Sequence, residues 1–116
     1  MTELAKRAVA CPGWRWLPGM LGVDSNGYEW RRVGQCLVGE CHGIRTCRGE
    51  LLPDLSDRAT VGCLLALVRE AWGDPTLHVW YSRQLGLWVV SASGQELGVH
   101  KTTEAAALVV ALEAAP

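Results

Sequence analysis

Apolar and polar positions in this chain follow the helical period in some stretches and the strand period in others, and the clearest stretch lies between Asp57 and Pro75. There Val61, Leu64, Leu65, Val68 and Trp72 recur at helical spacing, while Cys63, Ala66 and Leu67 make the other side apolar as well. A helix apolar nearly all round is expected to be buried on most of its circumference. Asp57 is placed to cap its start, because its side-chain oxygen can accept from the free N–H groups of the first turn. Gly73 offers the left-handed position that ends a helix, and Asp74-Pro75 forbids continuation. The run is far short of the roughly 20 apolar residues that cross a bilayer, so it predicts a soluble core.

The flanking patterns are shorter. Leu4, Ala5, Ala8 and Val9 form a stripe predicting a short helix that Thr2 caps and Pro12-Gly13 stops. Trp14-Arg15-Trp16-Leu17 alternates as a half-buried strand does. Met20 to Val23 and Tyr28 to Val33 flank Asn26-Gly27, the pair that supplies positive φ in a tight hairpin turn. In the second of these strands Tyr28, Trp30 and Arg32 share one face and Glu29, Arg31 and Val33 the other, which predicts an exposed or edge position. From Gly34 to Gly49, recurring glycine and cysteine break every period and predict a long loop. Leu77 to Tyr81 and Leu87 to Ala92 read as a second hairpin through Gly86, with Glu96 to His100 as a short third strand. Thr103 caps a closing helix striped by Leu108, Val109 and Leu112.

The fold class that follows is α+β, a single domain over residues 1–116. One mainly antiparallel sheet of two hairpins is expected to pack on the central helix, with N- and C-terminal helices completing the cover. Leu64, Leu65, Val68, Trp72, Val79, Val89, Leu108 and Leu112 are the expected core.

Composition changes this picture in three places. Six tryptophans and no phenylalanine put an N–H donor on most bulky aromatic positions, so some tryptophans are expected at the core's edge or on a binding surface. The net charge of −1 divides into +3 over residues 1–49 and −4 over residues 50–116, far from the basic stripe that general nucleic-acid binding requires. Five cysteines, with no signal-like apolar run near the start, predict a cytoplasmic protein without a disulfide framework.

The remaining readings of the cysteines are free thiols or a metal. Cys36, Cys41, His42 and Cys47 have the right ligand types for zinc, but their spacing departs from the tight C-x2-C turn, so incidental cysteines are the favoured reading. Cys63 reads as a small core hydrophobe and Cys11 lies at a helix end. Asp54, Asp57, Glu70 and Asp74 read as cap, turn or solvated helix residues, and no phosphate-binding loop, zinc-protease or nucleophile-elbow motif occurs. No cofactor and no catalytic residue are therefore expected.

A contact surface is the stronger candidate. Trp14, Arg15 and Trp16 with Tyr28, Trp30, Arg31 and Arg32 combine the side chains that dominate interface energy. The same set would suit a nucleotide-like ligand, with a base stacked on Trp and Arg on phosphate. The plainer reading of Trp14 and Trp16 is that both face the core.

The stretches WRWLPGM (residues 14–20), LPDLSDRATVGCLLALVREAWGDP (52–75) and TEAAALVVALEAA (103–115) resemble a family of small uncharacterised proteins encoded by phages and prophages. Asp24 to Glu50 looks like a variable region, and Arg58 departs from the proline often found at that first helical turn. The resemblance implies a phage genomic setting and little chemistry; that setting, combined with the lack of a catalytic signature, favours a small protein that binds and inhibits a host component in the host cytoplasm, a CRISPR nuclease or another antiviral-defence protein. A nucleotide-like ligand binder and a zinc- or thiol-dependent enzyme are the alternatives. Edge strands and exposed tryptophans in need of cover also predict a homodimer.

Overall fold

The computed structural model describes residues 2–33, 36–39, 50–93 and 95–116. In chain order the elements are α1 (Thr2–Ala10), β1 (Leu21–Val23), β2 (Glu29–Val33), β3 (Cys36–Gly39) and β4 (Leu52–Pro53). Then come α2 (Arg58–Trp72), β5 (His78–Ser82), β6 (Leu87–Ala92), β7 (Gln95–Lys101) and α3 (Glu104–Glu113). This is the α+β class that the periodicities predict.

Local chemistry sets the helix ends where the sequence places them. The Asp57 carboxylate accepts from the Thr60 N–H at 3.0 Å. Gly73 adopts φ 63°, its N–H donating to the Glu70 carbonyl at 3.1 Å and that of Asp74 to the Arg69 carbonyl at 3.0 Å. Thr103 caps α3 by accepting from the Ala106 N–H at 3.1 Å.

The strands divide into two antiparallel sheets, ordered β3-β2-β1-β4 and β5-β6-β7, where one was expected. The short β4 takes the free side of β1, and its Pro53 has no N–H to offer a further strand, so the second hairpin cannot extend that sheet. Two other expectations are corrected. Trp14 to Leu17 is not a strand: the segment leaves α1 through a turn closed by the Trp14 N–H on the Cys11 carbonyl at 3.0 Å. Within the expected loop, Cys36–Gly39 forms a strand, with Arg31 opposite Val38 and Arg32 opposite Leu37. Residues 40–49 lie outside the described residues.

The main core joins all three helices to the second sheet. Leu64 and Val68 of α2, Ala107, Leu108, Val109 and Ala111 of α3, Val90 and Leu77 are fully enclosed. Leu65, Trp72 and Val79 are only partly buried against this cluster, and Leu67, which the pattern puts on the far side of α2, is fully buried. α3 packs on each strand of the second sheet and against α1 and α2, because its alanines allow close approach. Trp72 reaches across to it, donating its indole N–H to the Ala111 carbonyl at 2.8 Å.

Candidate functional site

The first hairpin is built around Asp24. One carboxylate oxygen accepts from the N–H groups of Asn26 at 2.9 Å and Tyr28 at 3.0 Å, the other from the indole N–H of Trp30 at 2.9 Å. Asp24 and Trp30 are 5% and 6% exposed, so the pair satisfies its polar atoms inside the protein. Trp30 is therefore an anchor of the hairpin and does not present its area to a partner.

Arg31 is also committed inward. Its guanidinium donates to the Gly19 carbonyl at 2.8 Å and to both carboxylate oxygens of Asp57 at 3.3 and 3.4 Å. The fully buried Thr60 hydroxyl donates to Asp57 at 2.8 Å and accepts from the Leu21 N–H at 2.8 Å. Burial alone would raise the Asp57 pKa; the hydrogen bonds from Arg31 and Thr60, with the Arg31 charge, outweigh it and hold the carboxyl below its ordinary value. The network fastens the first sheet to the start of α2. Arg32 is half-buried, and its backbone N–H donates to the Met20 carbonyl at 2.9 Å.

Trp14 and Trp16 meet edge to face, ring centroids 5.5 Å apart. Trp14 packs on the main core, and its enclosed indole N–H has no acceptor among the described residues. Arg15 is exposed and ion-paired with Glu70, whose carboxyl the hydrogen bond from Arg15 holds below its ordinary range. Of the seven residues expected to form one contact face, Arg15 and Tyr28 are exposed, Trp14, Trp16, Arg31 and Arg32 are half-buried, and Trp30 is buried. Tyr28 precedes β2 while Gly19 attaches beside Arg32, so some four residues of strand, about 13 Å, separate it from the Trp16 segment. The expected face does not cohere.

Exposed aromatic surface is gathered elsewhere. Trp80, Tyr81 and Leu85 are 38%, 50% and 54% exposed, and all belong to β5 or the turn into β6. Trp80 lays its indole against β6, donating to the Ser91 hydroxyl at 3.0 Å. Tyr81 lies on the other face, edge-on to Trp88 with centroids 5.5 Å apart. The signal for this patch is in the sequence: adjacent strand residues point to opposite faces, and α3 covers only one of them. Trp80-Tyr81 in a strand therefore cannot bury both rings.

A groove of about 660 Å³ runs beside Trp88, between the starts of α2 and α3, with Arg58, Val61 and Glu104 on its walls. Cys11 and Cys63 are free thiols, the first buried and the second half-buried. Of the zinc expectation, Cys41, His42 and Cys47 lie outside the described residues, and Cys36 is described only as a backbone position of β3. No described helix is long and apolar enough to cross a membrane. Comparison with protein-family models, curated proteins and solved structures finds no match to this chain.

Proposed function

We propose that this protein works by binding another protein, through the β5–β6 hairpin. The observation that carries the reading is that Trp80, Tyr81 and Leu85 are all exposed on one hairpin, Trp80 on its outer face and Tyr81 on the opposite one, since exposed aromatic area concentrated in one element is characteristic of contact surfaces. In the phage setting that the sequence resembles, the partner is a host component, a CRISPR nuclease or another antiviral-defence protein, met in the host cytoplasm. The test is capture of that partner by the tagged full chain, followed by reconstitution with the purified partner. Trp80→Ser with Leu85→Ser is expected to abolish binding while leaving the melting temperature within a few degrees of the parent. Undiminished binding by this variant overturns the assignment.

A nucleotide-like ligand has one observation in its favour, the Trp88 and Arg58 pair in the groove between the helix starts. The helix N–H groups that would meet a phosphate there are partly taken, Thr60 by Asp57 and Ala106 by Thr103, and Glu104 adds a negative charge. Protein contact is the better supported of the two.

A further inference from the structure

We infer that two copies of this protein join through their β5 strands, each supplying the strand that the other's sheet lacks. The inference goes beyond the binding reading and does not depend on who the host partner is.

The hairpin turn determines which backbone groups of β5 are free. The Gly86 N–H donates to the Ser82 carbonyl at 2.8 Å, so Ser82 turns its backbone polar groups toward β6. Alternation along the strand then turns those of Trp80 and His78 the same way and those of Val79 and Tyr81 away from it. Among the described residues β5 pairs with β6 alone, which leaves two N–H and two C=O groups along an open edge.

Two of the other edges carry the usual protection against pairing, and the third, β3, is described only in its backbone. β4 is two residues long and ends in Pro53, while β7 carries exposed Glu96 and Lys101 and is joined to β6 irregularly between Val89 and Ser91. β5 has none of these devices. It is five residues of His-Val-Trp-Tyr-Ser, without proline or formal charge, with Trp80 and Tyr81 exposed along it.

A second copy fits this edge in one register that uses every free group. With the two-fold axis at Trp80, Val79 lies opposite the partner's Tyr81, and Tyr81 opposite the partner's Val79. Each pair exchanges both backbone hydrogen bonds, about four in all. Trp80 meets the partner's Trp80 as the close, non-hydrogen-bonded pair on the outer face, while Val79 and Tyr81 pack across the strands on the helix side. Arg83 comes opposite the partner's Leu77, whose carbonyl accepts from the Arg69 guanidinium at 2.6 Å, so two arginines approach at each end of the pairing while His78 to Ser82 between them carry no formal charge. The resulting continuous sheet sets two Trp80 rings side by side and enlarges the hairpin surface assigned to the host partner.

Sedimentation of the full chain is expected to give twice the single-chain mass of 12.6 kDa. Trp80→Lys and Trp80→Glu, each alone, set like charges against each other across the axis and should halve that mass. An equal mixture of the two variants should restore it. A wild-type protein at single-chain mass overturns the inference, as does either variant that remains a homodimer. Hydrogen exchange on the wild type gives an independent reading should a variant fail to fold. The amides of Val79 and Tyr81 should be protected in concentrated solution and lose protection on dilution; fast exchange of both at every concentration also overturns it. Neither measurement involves a host protein, so failure here is separable from failure of partner capture.

Discussion

The guanidinium of Arg31 grips both carboxylate oxygens of Asp57, at 3.3 and 3.4 Å, and thereby fastens the first hairpin to the cap of α2. Removing the carboxylate loses a helix cap, worth about 1 kcal/mol, and also loses the charge-assisted hydrogen bonds from Arg31 to Asp57. Asp57→Ala is therefore expected to lower the unfolding free energy by about 2–3 kcal/mol, taking charge-assisted hydrogen bonds at about 1.5–3 kcal/mol. Arg31→Ala should cost less, about 1–2 kcal/mol, because the pair is partly exposed and the cap survives. Denaturant unfolding of the two single variants and the double variant should show a coupling above about 0.5 kcal/mol. Strict additivity would mean that the contact carries no stability.

The same carboxylate makes stability depend on pH. Asp57 is held below its ordinary pKa against the effect of burial, Glu113 by the hydrogen bond from Arg7, and Asp74 by hydrogen bonds from Thr76. A depressed folded-state pKa means that, as pH falls, the unfolded chain takes up protons first. The stabilisation is then complete above the ordinary carboxylate value of about 4 and is lost as pH drops through the folded value. Unfolding midpoints should be flat from neutral pH down to about 5 and fall below that. In Asp57→Asn the fall should be shallower, so the two curves converge in acid. Parallel curves would exclude Asp57 as a contributor.

Trp30 tests whether the first hairpin is scaffold or contact face. Trp30→Phe keeps most of the buried ring but removes the indole donor to the Asp24 carboxylate, which costs about 1.5–3 kcal/mol for a hydrogen bond to a charged group. Trp30→Ala adds a cavity and should cost about 3–5 kcal/mol. Thermal unfolding of both variants decides the matter. A Trp30→Ala protein as stable as the parent would return this residue to the surface.

What was legible in the sequence is what short-range chemistry decides. Asp57, Gly73 and Thr103 end their helices as their residue types require, and Asn26-Gly27 sits in the turn of the first hairpin, where Gly27 has φ 82°. Asp24 was not read as an anchor, although an aspartate preceding Asn-Gly can bond its own turn; its second oxygen accepts from Trp30, six residues on. The division into two sheets was hidden because it turns on whether β4 or the second hairpin takes the side of β1, a choice made by long-range pairing and not by periodicity. The inward placement of Trp30 and Arg31 was hidden for a related reason. Trp, Tyr and Arg advertise an interface only when exposed, and Trp30 and Arg31 find internal partners in Asp24 and Asp57 that residue type alone does not reveal.

Cys11 and Cys63 should resist alkylation at neutral pH. The thiolate is the reacting form, and burial pushes both thiols above their ordinary pKa, aided by the negative charge of Glu113 near Cys11 and of Asp57 near Cys63. Each thiol also donates to a backbone oxygen, Cys11 to Arg7 at 3.3 Å and Cys63 to Pro18 at 3.6 Å, an interaction that favours the protonated form. Iodoacetamide labelling followed by peptide mass analysis should show both sites slower than in the unfolded chain, with rates that rise as pH is taken above the usual thiol value of about 8.5. Asp57→Asn removes the charge acting on Cys63 and should accelerate that site relative to Cys11, provided labelling is done where the variant stays folded. Equal acceleration at both sites would point to general loosening, and rapid labelling of either thiol in the native parent would show that its thiolate is not suppressed.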